Sequence, residues 1–457
     1  MIDEGVYLRA GCGAHSGTMK IIVLGAGIIG ISTAWHLAER GHTVTVVERQ
    51  SAAALETSFA NAGQISVSYC EPWAHRDAPL KALKWMFSQE APLLFRPQNP
   101  LGPGWRQYAW GLQFLAQCTD AAFARNVQQL VALGAYSHAA LKEVVAATGI
   151  TYQRLERGIA HYFTDQHAFD NAAQSAALMA RYGVDRKVVS REEMLRIEPS
   201  LRHFGSRIVG GTFTASDESG DACAFTQALA AQCAQRGVQF LYGHRVERIN
   251  LANGGVQSVV ARPVAAHDQA LAAAAKVLGA DQVVVACGSF SAPLLRSVGV
   301  DLPIYPGKGY SATFRVLNAD AAPMVSTIDD AKKIAITRLG DQIRVAGTIE
   351  VGGYDLTLTS PLARARCQML ARRVEEVWPG MCDTRSEEQG GQPHFWAGLR
   401  PATPTNIPYI GQTKVRGLWV NAGHGTLGWT HGAGSGKALA ELMDGRQPDM
   451  AFTTYQG

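Results

Sequence analysis

The sequence predicts an α/β protein assembled from two interleaved, discontinuous domains, and three observations predict it. Near the start, an apolar run from Ile21 to Leu24 leads into Gly25-Ala26-Gly27-Ile28-Ile29-Gly30. A helical pattern, Gly41 and a second β-branched run, Val44 to Val47, follow. Near the end, the run Leu418 to Asn421 leads into a second glycine-rich bend and a last helical pattern. The stretches between differ from both: residues 79–130 are aromatic, apolar and basic, and 301–350 alternate as antiparallel strands do. Sequential domains would not split two matching strand–turn–helix units so widely; interleaved ones would.

The first unit carries its own chemistry. Gly25 permits a tight turn out of the strand, Gly27 lets backbone approach a pyrophosphate, and Gly30 lets helix and strand pack closely. The helix start offers free N–H groups and a positive dipole end to phosphate charge. Glu48 lies 18 residues past Gly30, near the spacing of about 20 for an acid that binds a ribose. An acid rather than an arginine there favours a free ribose, so FAD or NAD rather than NADP. Candidate cofactor residues are therefore the strand Ile21, Ile22, Val23 and Leu24 with the turn Gly25, Ala26, Gly27, Ile28, Ile29 and Gly30. The helix adds Ile31, Ser32, Thr33, Ala34 and Trp35, and the second strand ends in Glu48 and Arg49.

The remaining elements follow in chain order. Ser58 to Ser66 reads as a loop, Gln128 to Thr148 as a helix and Tyr152 to Tyr162 as a strand. Gly210 and Gly211 open a turn-rich loop, Asp221 caps a helix from Phe225 to Arg236, and Gly237 ends it. Strands Val238–Tyr242 and Arg245–Asn250 precede Asn253-Gly254, a strong hairpin signal into Val256–Ala261. The buried strand Asp281–Ala286 ends at Cys287-Gly288-Ser289, where Ser289 or Ser291 caps a short helix. Residues 362–378 are helical and Pro379-Gly380 stops them; the last helix runs from about Gly434 to Asp444.

In the second glycine-rich bend, glycines 423, 425, 428, 432, 434 and 436 allow backbone N–H groups to face a planar ligand. A neighbouring helix start favours negative charge there, which suits a reduced flavin better than a nicotinamide. Gly423, His424, Gly425, Thr426, Leu427, Gly428 and Trp429 are thus further cofactor candidates; the alternative is that these glycines only pack a helix on a sheet. Arg400, in Gly398-Leu399-Arg400-Pro401, suits a substrate carboxylate through paired charge-assisted hydrogen bonds, or else a structural ion pair. Tyr305 and Tyr310 flank Pro306 to Gly309 and supply either a hydroxyl at the substrate or half-buried strand side chains. His424 is either catalytic or a hydrogen-bonding spacer. The run Leu80 to Phe87 is either an interfacial membrane contact or an amphipathic helix packed on the protein.

Composition excludes several classes. The chain has 457 residues, too many for one core, with 47% hydrophobic and 18% charged content. A net charge of +4, from 42 basic and 38 acidic residues, gives no footprint for nucleic acid. The eight cysteines form no CxxC and no paired framework, as expected of free thiols in a reducing cytosol with no metal site. No apolar run approaches the ~18 residues of a membrane span. Residues 1–18 lack a signal h-region and read as a disordered extension before Met19, the natural start. HExxH, GxSxG and GxxxxGK[ST] patterns are absent from the sequence.

The residues also carry a family likeness. GAGIIG (25–30), ALETSFANAGQIS (54–66), PLKALKWMF (79–87), YPGKGYS (305–311), KIAITRLGDQIRVAGT (333–348), FWAGLRPATP (395–404) and GHGTLGWTHGAGSG (423–436) resemble the bacterial D-amino acid dehydrogenase small subunit. That family lies within the D-amino acid oxidase/glycine oxidase flavoprotein superfamily, and the likeness covers Met19 to about Pro448. It implies a Rossmann-like FAD-binding domain (19–78, 205–300 and 393–450) with an interleaved antiparallel α+β substrate domain (79–204 and 301–392).

It also implies FAD held without a covalent bond, and oxidative deamination of D-amino acids, typically D-alanine to pyruvate and ammonia. Electrons pass to a respiratory acceptor such as a quinone at the inner face of the cytoplasmic membrane. By the same resemblance Glu48 holds the ribose, Val246 and Gly288 join the FAD contacts, residues 423–430 lie under the flavin's pyrimidine side, and Arg400 takes the substrate carboxylate. A glycine- or sarcosine-type oxidase using oxygen and a tRNA-modifying flavoenzyme are the alternatives of the same fold.

Overall fold

In the computed structural model, residues 17–80, 91–265, 271, 273–449 and 451–457 are described. The expected extension before Met19, up to residue 16, and most of the Leu80–Phe87 run lie outside them. Two sheets organise the chain. The first has seven strands, in the order Tyr455–Gln456, Tyr409–Gln412, Leu418–Ala422, Gln282–Val285, Lys20–Leu24, Thr43–Val47 and Gln239–Leu241. From Leu418–Ala422 to Gln239–Leu241 the pairing is parallel throughout.

These central strands are unbroken apolar runs because both faces of a parallel sheet are covered. Ile21 and Val23 enter one core with Ile31, Ala34, Phe225 and Leu439 of the helices Ile28–Glu39, Ala222–Gln235 and Gly428–Met443. Ile22 and Leu24 enter the opposite core, under the three-stranded meander His244–Ala252, Gly255–Pro263 and Lys276–Gly279. Asn253 (φ +50°) and Gly254 (φ +74°) make the expected hairpin turn of that meander.

The second sheet has nine strands. Eight run in the order His394–Ala402, Tyr305–Arg315, Gln342–Val351, Ile334–Leu339, Ser326–Asp329, Ile159–Phe163, Gly210–Thr214 and Lys187–Ser190. The ninth, Leu93–Phe95, pairs parallel with the end of Gln342–Val351. The helix Pro361–Val377 covers one face through Leu370 and Val374, against Tyr310, Phe314 and Ile336. Strands Gly210–Thr214 and His394–Ala402, expected in the cofactor-binding part, lie in this sheet instead.

Several local expectations are corrected. Gly210 and Gly211 are strand residues, not the opening of a loop. A side chain on them would collide with the Phe169 ring and with Met194, so glycine here serves close packing. The helix expected from Gln128 begins at Asp120, where the Thr119 side chain accepts from the Ala122 amide, and ends at Gly149 in left-handed conformation. By length and composition alone it would suffice to cross a bilayer, against expectation. Yet Leu133, Leu141 and Val144 pack it into the core shared with the Ile28–Glu39 and Gly428–Met443 helices. Tyr152–Tyr162 shrinks to Ile159–Phe163. Neither serine caps the Ser291–Arg296 helix: Ser289 donates to the Leu399 carbonyl, and the Ser291 hydroxyl is buried without a partner. Asp221 does cap its helix, accepting from the Cys223 and Ala224 amides.

Candidate active site

A single cavity of about 1790 Å³ is walled by residues of both sheets. Gly25, Gly27, Ile28, Ile29, Glu48, Arg49, Val246 and Gly288 line it, and so do His424, Gly425, Thr426, Leu427, Gly428, Trp429 and Arg400. The two glycine bends, far apart in sequence, therefore open on one space. The first works as its spacing requires. Gly25 has φ +102°, and a Cβ on it would approach the Ala286 carbonyl oxygen to 2.6 Å. A side chain on Gly30 would run into the Gly25 carbonyl, so helix and strand meet here without side chains between them. Glu48 Oε2 accepts from the Ala26 amide at 2.7 Å and Oε1 from the Gln50 amide at 2.8 Å. Burial raises its pKa, with the neighbouring Glu56 second, while the two amides hold it down.

Not every residue of this stretch reaches the cavity. Ile21, Ile22, Val23 and Leu24 are spent on the two cores. Gly30 meets the Gly25 backbone and the Val23 side chain, and Ala26 contributes through its amide to Glu48. Ile31, Ser32, Thr33, Ala34 and Trp35 face inward with the rest of the helix: Trp35 is covered by the Arg236 guanidinium at 4.0 Å, and Thr33 bridges Ile29 to Asn421. These positions are corrected from cofactor candidates to supports. Arg49 lies over the Phe290 ring at 3.9 Å and donates to Glu56.

The second bend is also shorter than its glycine content suggests. Helix begins at Gly428 rather than Gly434, leaving Gly423 (φ +92°) and Gly425 (φ +53°) in the turn. Gly423 itself packs on Thr403 outside the cavity wall. Gly432, Gly434 and Gly436 are contact points between helices: a Cβ on each would lie 2.5–2.7 Å from Ile28, Ser137 and Ser32 respectively. The packing alternative thus holds for these three, while residues 424–429 line the cavity. Leu427 gives the helix no side-chain cap, so its first N–H groups and positive dipole end remain for an anionic group in the cavity. His424 is buried, with Nε2 lacking a partner among the described residues, and burial keeps its ring neutral.

Arg400 faces the same cavity. Nη1 donates to the Thr348 carbonyl at 2.5 Å and Nη2 to the Gly347 carbonyl at 3.4 Å. Among the described residues no carboxylate pairs with it, and burial pulls its pKa down to about 10. Within the described residues the structural ion pair alternative therefore has no partner. A cation lodged against two neutral carbonyls in a low-dielectric wall favours an anion from outside the protein.

The tyrosines are corrected. Gly309 faces Arg400, and Tyr310, next along the strand, borders the cavity but points its ring to the opposite face, among Phe314 and Leu370. Its hydroxyl donates to Glu350 at 2.6 Å, and Glu350 accepts from Arg96 at 2.9 Å; neither Glu350 nor Arg96 lines the cavity. Tyr305 packs on Trp110 outside the cavity wall. Only register, invisible in sequence, distinguishes these faces.

Residues without a sequence signal complete the wall. Ser58 accepts from the Ile28 amide at 3.0 Å, Asn421 sits beneath the second bend, and Gly309 and Thr348 frame Arg400. The residues fit a flavin dinucleotide: an acid held by amides at one end, an uncapped helix start and an orphaned buried imidazole nitrogen at the other. Among the described residues no group of His, Cys, Asp or Glu could hold a metal ion.

Comparison with known proteins agrees. The model of the family described as DAO, FAD dependent oxidoreductase, matches residues 20–442. D-amino acid dehydrogenase of Dechloromonas aromatica (strain RCB) is 45% identical over 95% of this chain and 99% of its own length. D-amino acid dehydrogenase of Rhizobium rhizogenes (strain K84 / ATCC BAA-868) is 42% identical over 94% and 97%. Glycine oxidase from Geobacillus kaustophilus shares the fold, with a TM-score of 0.69 at 21% identity over 96% of this chain and all of that one. The glycine bend with its ribose-spaced acid, the second bend on the same cavity and the match along nearly the whole chain have one meaning: the chain belongs to the DAO family of FAD-dependent oxidoreductases.

Proposed function

We propose that this FAD-dependent enzyme is a D-amino acid dehydrogenase, oxidising D-amino acids such as D-alanine to the 2-oxo acid and ammonia. The observation that carries this reading is Arg400: a buried guanidinium on the cavity wall, braced by two carbonyls and with no carboxylate partner among the described residues. Arg400 holds the substrate carboxylate, and Glu48 with the turn at Gly27 holds the ribose and pyrophosphate. The 424–429 bend faces the pyrimidine edge of the ring system. When bound, FAD supplies the two-electron acceptor; the protein supplies binding, orientation and exclusion of water. No lysine or carboxylate needs to act as a strong base in this scheme. Amine-deprotonated substrate is oriented by its carboxylate, and the imino acid product hydrolyses in water.

Electrons leave for a respiratory acceptor such as a quinone, at the cytoplasmic side of the membrane. Supporting a membrane contact, Trp105, Tyr108, Leu112 and Leu115 form an exposed stripe along the helix Trp105–Ala116, and Leu101 beside it is 96% exposed. Tyr108, Leu112 and Leu115 also line the cavity, so this stripe adjoins a route into it. The free state of the seven cysteines among the described residues fits a reducing compartment.

Anaerobic addition of D-alanine to the yellow holoprotein tests the activity. Bleaching by D- but not L-alanine supports it; bleaching by neither ends it. Rapid oxygen consumption with peroxide release would instead favour a glycine- or sarcosine-type oxidase.

A further inference from the structure

Thr348 combines three features. It adopts φ +50°, a left-handed conformation that a β-branched residue rarely takes. It is only 4% exposed, and its hydroxyl has no hydrogen-bond partner among the described residues. It lines the cavity, and its carbonyl accepts from Arg400 Nη1.

The local pairing explains how it comes to sit there. Lys308 pairs with Glu350 and Tyr310 with Gly347, so Thr348 and Ile349 together oppose the single residue Gly309. This bulge re-aims the strand. Beyond it the Ile349 amide donates to the Pro92 carbonyl, and the strand gains Leu93–Phe95 as a new neighbour. Glycine or asparagine would satisfy the left-handed turn at lower strain. A threonine there, with its hydroxyl buried and unpaired in a residue that lines the cavity, accepts two costs that a bound ligand would offset once the hydroxyl turns toward it.

We propose that Thr348 is a substrate-positioning residue. Its hydroxyl donates to the carboxylate that Arg400 grips, while its turned carbonyl fixes the guanidinium in the gripping orientation. The inference rests on the reading of Arg400 as the carboxylate site and adds a third contact point to it. Two guanidinium bonds leave the carboxylate free to rock about their shared plane; a hydroxyl donor off that axis removes this freedom and sets where Cα lies.

The test uses holoenzyme and propanoate, the amine-free counterpart of alanine, titrated by its perturbation of flavin absorbance. Thr348→Ser keeps the hydroxyl and is expected to bind within twofold of wild type. Thr348→Val keeps the branching and Thr348→Gly relieves the backbone; both lose the donor and are expected to bind about tenfold more weakly or worse. KM for D-alanine should rise by a similar factor with a smaller change in kcat. Thr348→Gly should also unfold at or above the wild-type temperature, because its conformation is unstrained.

A merely structural Thr348 predicts that the glycine variant, suited to φ +50°, binds propanoate as wild type does. That result overturns the inference, and it remains readable if Thr348→Val fails to fold. Arg400→Ala separates the two claims: if it still binds propanoate, the carboxylate site itself is misplaced. If it loses propanoate while Thr348→Gly does not, only the role of Thr348 falls.

Discussion

The Arg400 guanidinium lies flat against the backbone of Gly309: a Cβ at that position would come within 2.5 Å of Cζ. Room for the cation is thus made by the absence of a side chain on the neighbouring strand, opposite the bulge at Thr348 and Ile349. Gly309→Ala is expected to displace the guanidinium from the Gly347 and Thr348 carbonyls. KM for D-alanine should rise by about tenfold or more while the FAD content of the purified protein is unchanged. Steady-state kinetics alongside the ratio of flavin to protein absorbance checks this; an unchanged KM would detach Arg400 from substrate binding.

Desolvation draws the Arg400 pKa from the usual arginine value down to about 10. The group is a cation, able to hold an anion, only below that value. Affinity of the holoenzyme for propanoate, which has no amine to titrate, should therefore hold steady through neutrality and fall as pH rises through about 10. Bound carboxylate favours the charged form, so the fall in the complex lies at higher pH than in the free enzyme. Affinity that stays level well above that pH would mean the guanidinium is better solvated than its surroundings imply.

Tyr310 directs its ring to the far face of the sheet from Arg400, with its hydroxyl committed to buried Glu350. Tyr310→Phe should leave KM for D-alanine within about twofold of wild type. It should lower stability by about 1–3 kcal/mol, because Glu350 loses a buried donor. Denaturant unfolding with parallel kinetics distinguishes this from a substrate contact, for which KM would move and stability would not.

Gly434 meets the backbone of Ser137: a Cβ on the glycine would lie 2.5 Å from Ser137 Cα. Gly434→Ala forces the helices Gly428–Met443 and Asp120–Thr148 apart, an overpacking that costs about 1–3 kcal/mol. The melting temperature of the holoprotein should fall, and flavin should be released at a lower temperature than from wild type. Retention of both would show that the helices can separate without strain.

Trp105 and Leu101 sit on the exposed stripe but outside the cavity wall. Replacing both by glutamate should weaken co-sedimentation with phosphatidylglycerol vesicles and slow quinone reduction in membranes. D-alanine turnover with a soluble dye should stay at the wild-type rate. Equal co-sedimentation of variant and wild type would remove this helix from the membrane contact.

How much of the fold and site is legible in sequence depends on which physical signal each residue leaves. The first strand–turn–helix–strand is unmistakable because apolar period, glycine spacing and a terminal acid agree over one local stretch. Arg400 stands out for a similar reason, as a guanidinium amid small residues. The last helix starts at Gly428, well before its composition suggests, because Gly432, Gly434 and Gly436 have the composition of a turn while their real role is contact with Ile28, Ser137 and Ser32. The same ambiguity makes Gly210 and Gly211 resemble a loop. Tyr310 and Gly309 are adjacent, and only the register of Tyr305–Arg315 against His394–Ala402 decides which of them faces Arg400. Thr348 leaves no local signal, since its conformation is imposed by a bulge that depends on three strands at once.

Gly432 and Gly436 bring the last helix directly onto Ile28 and Ser32 of the first. The two helices whose N-termini meet the cavity are thereby locked as one body, and the gap between those termini becomes a fixed gauge. The ring and the phosphate of a flavin must both fit that gauge, so their separation is matched by missing side chains that lie far from either group.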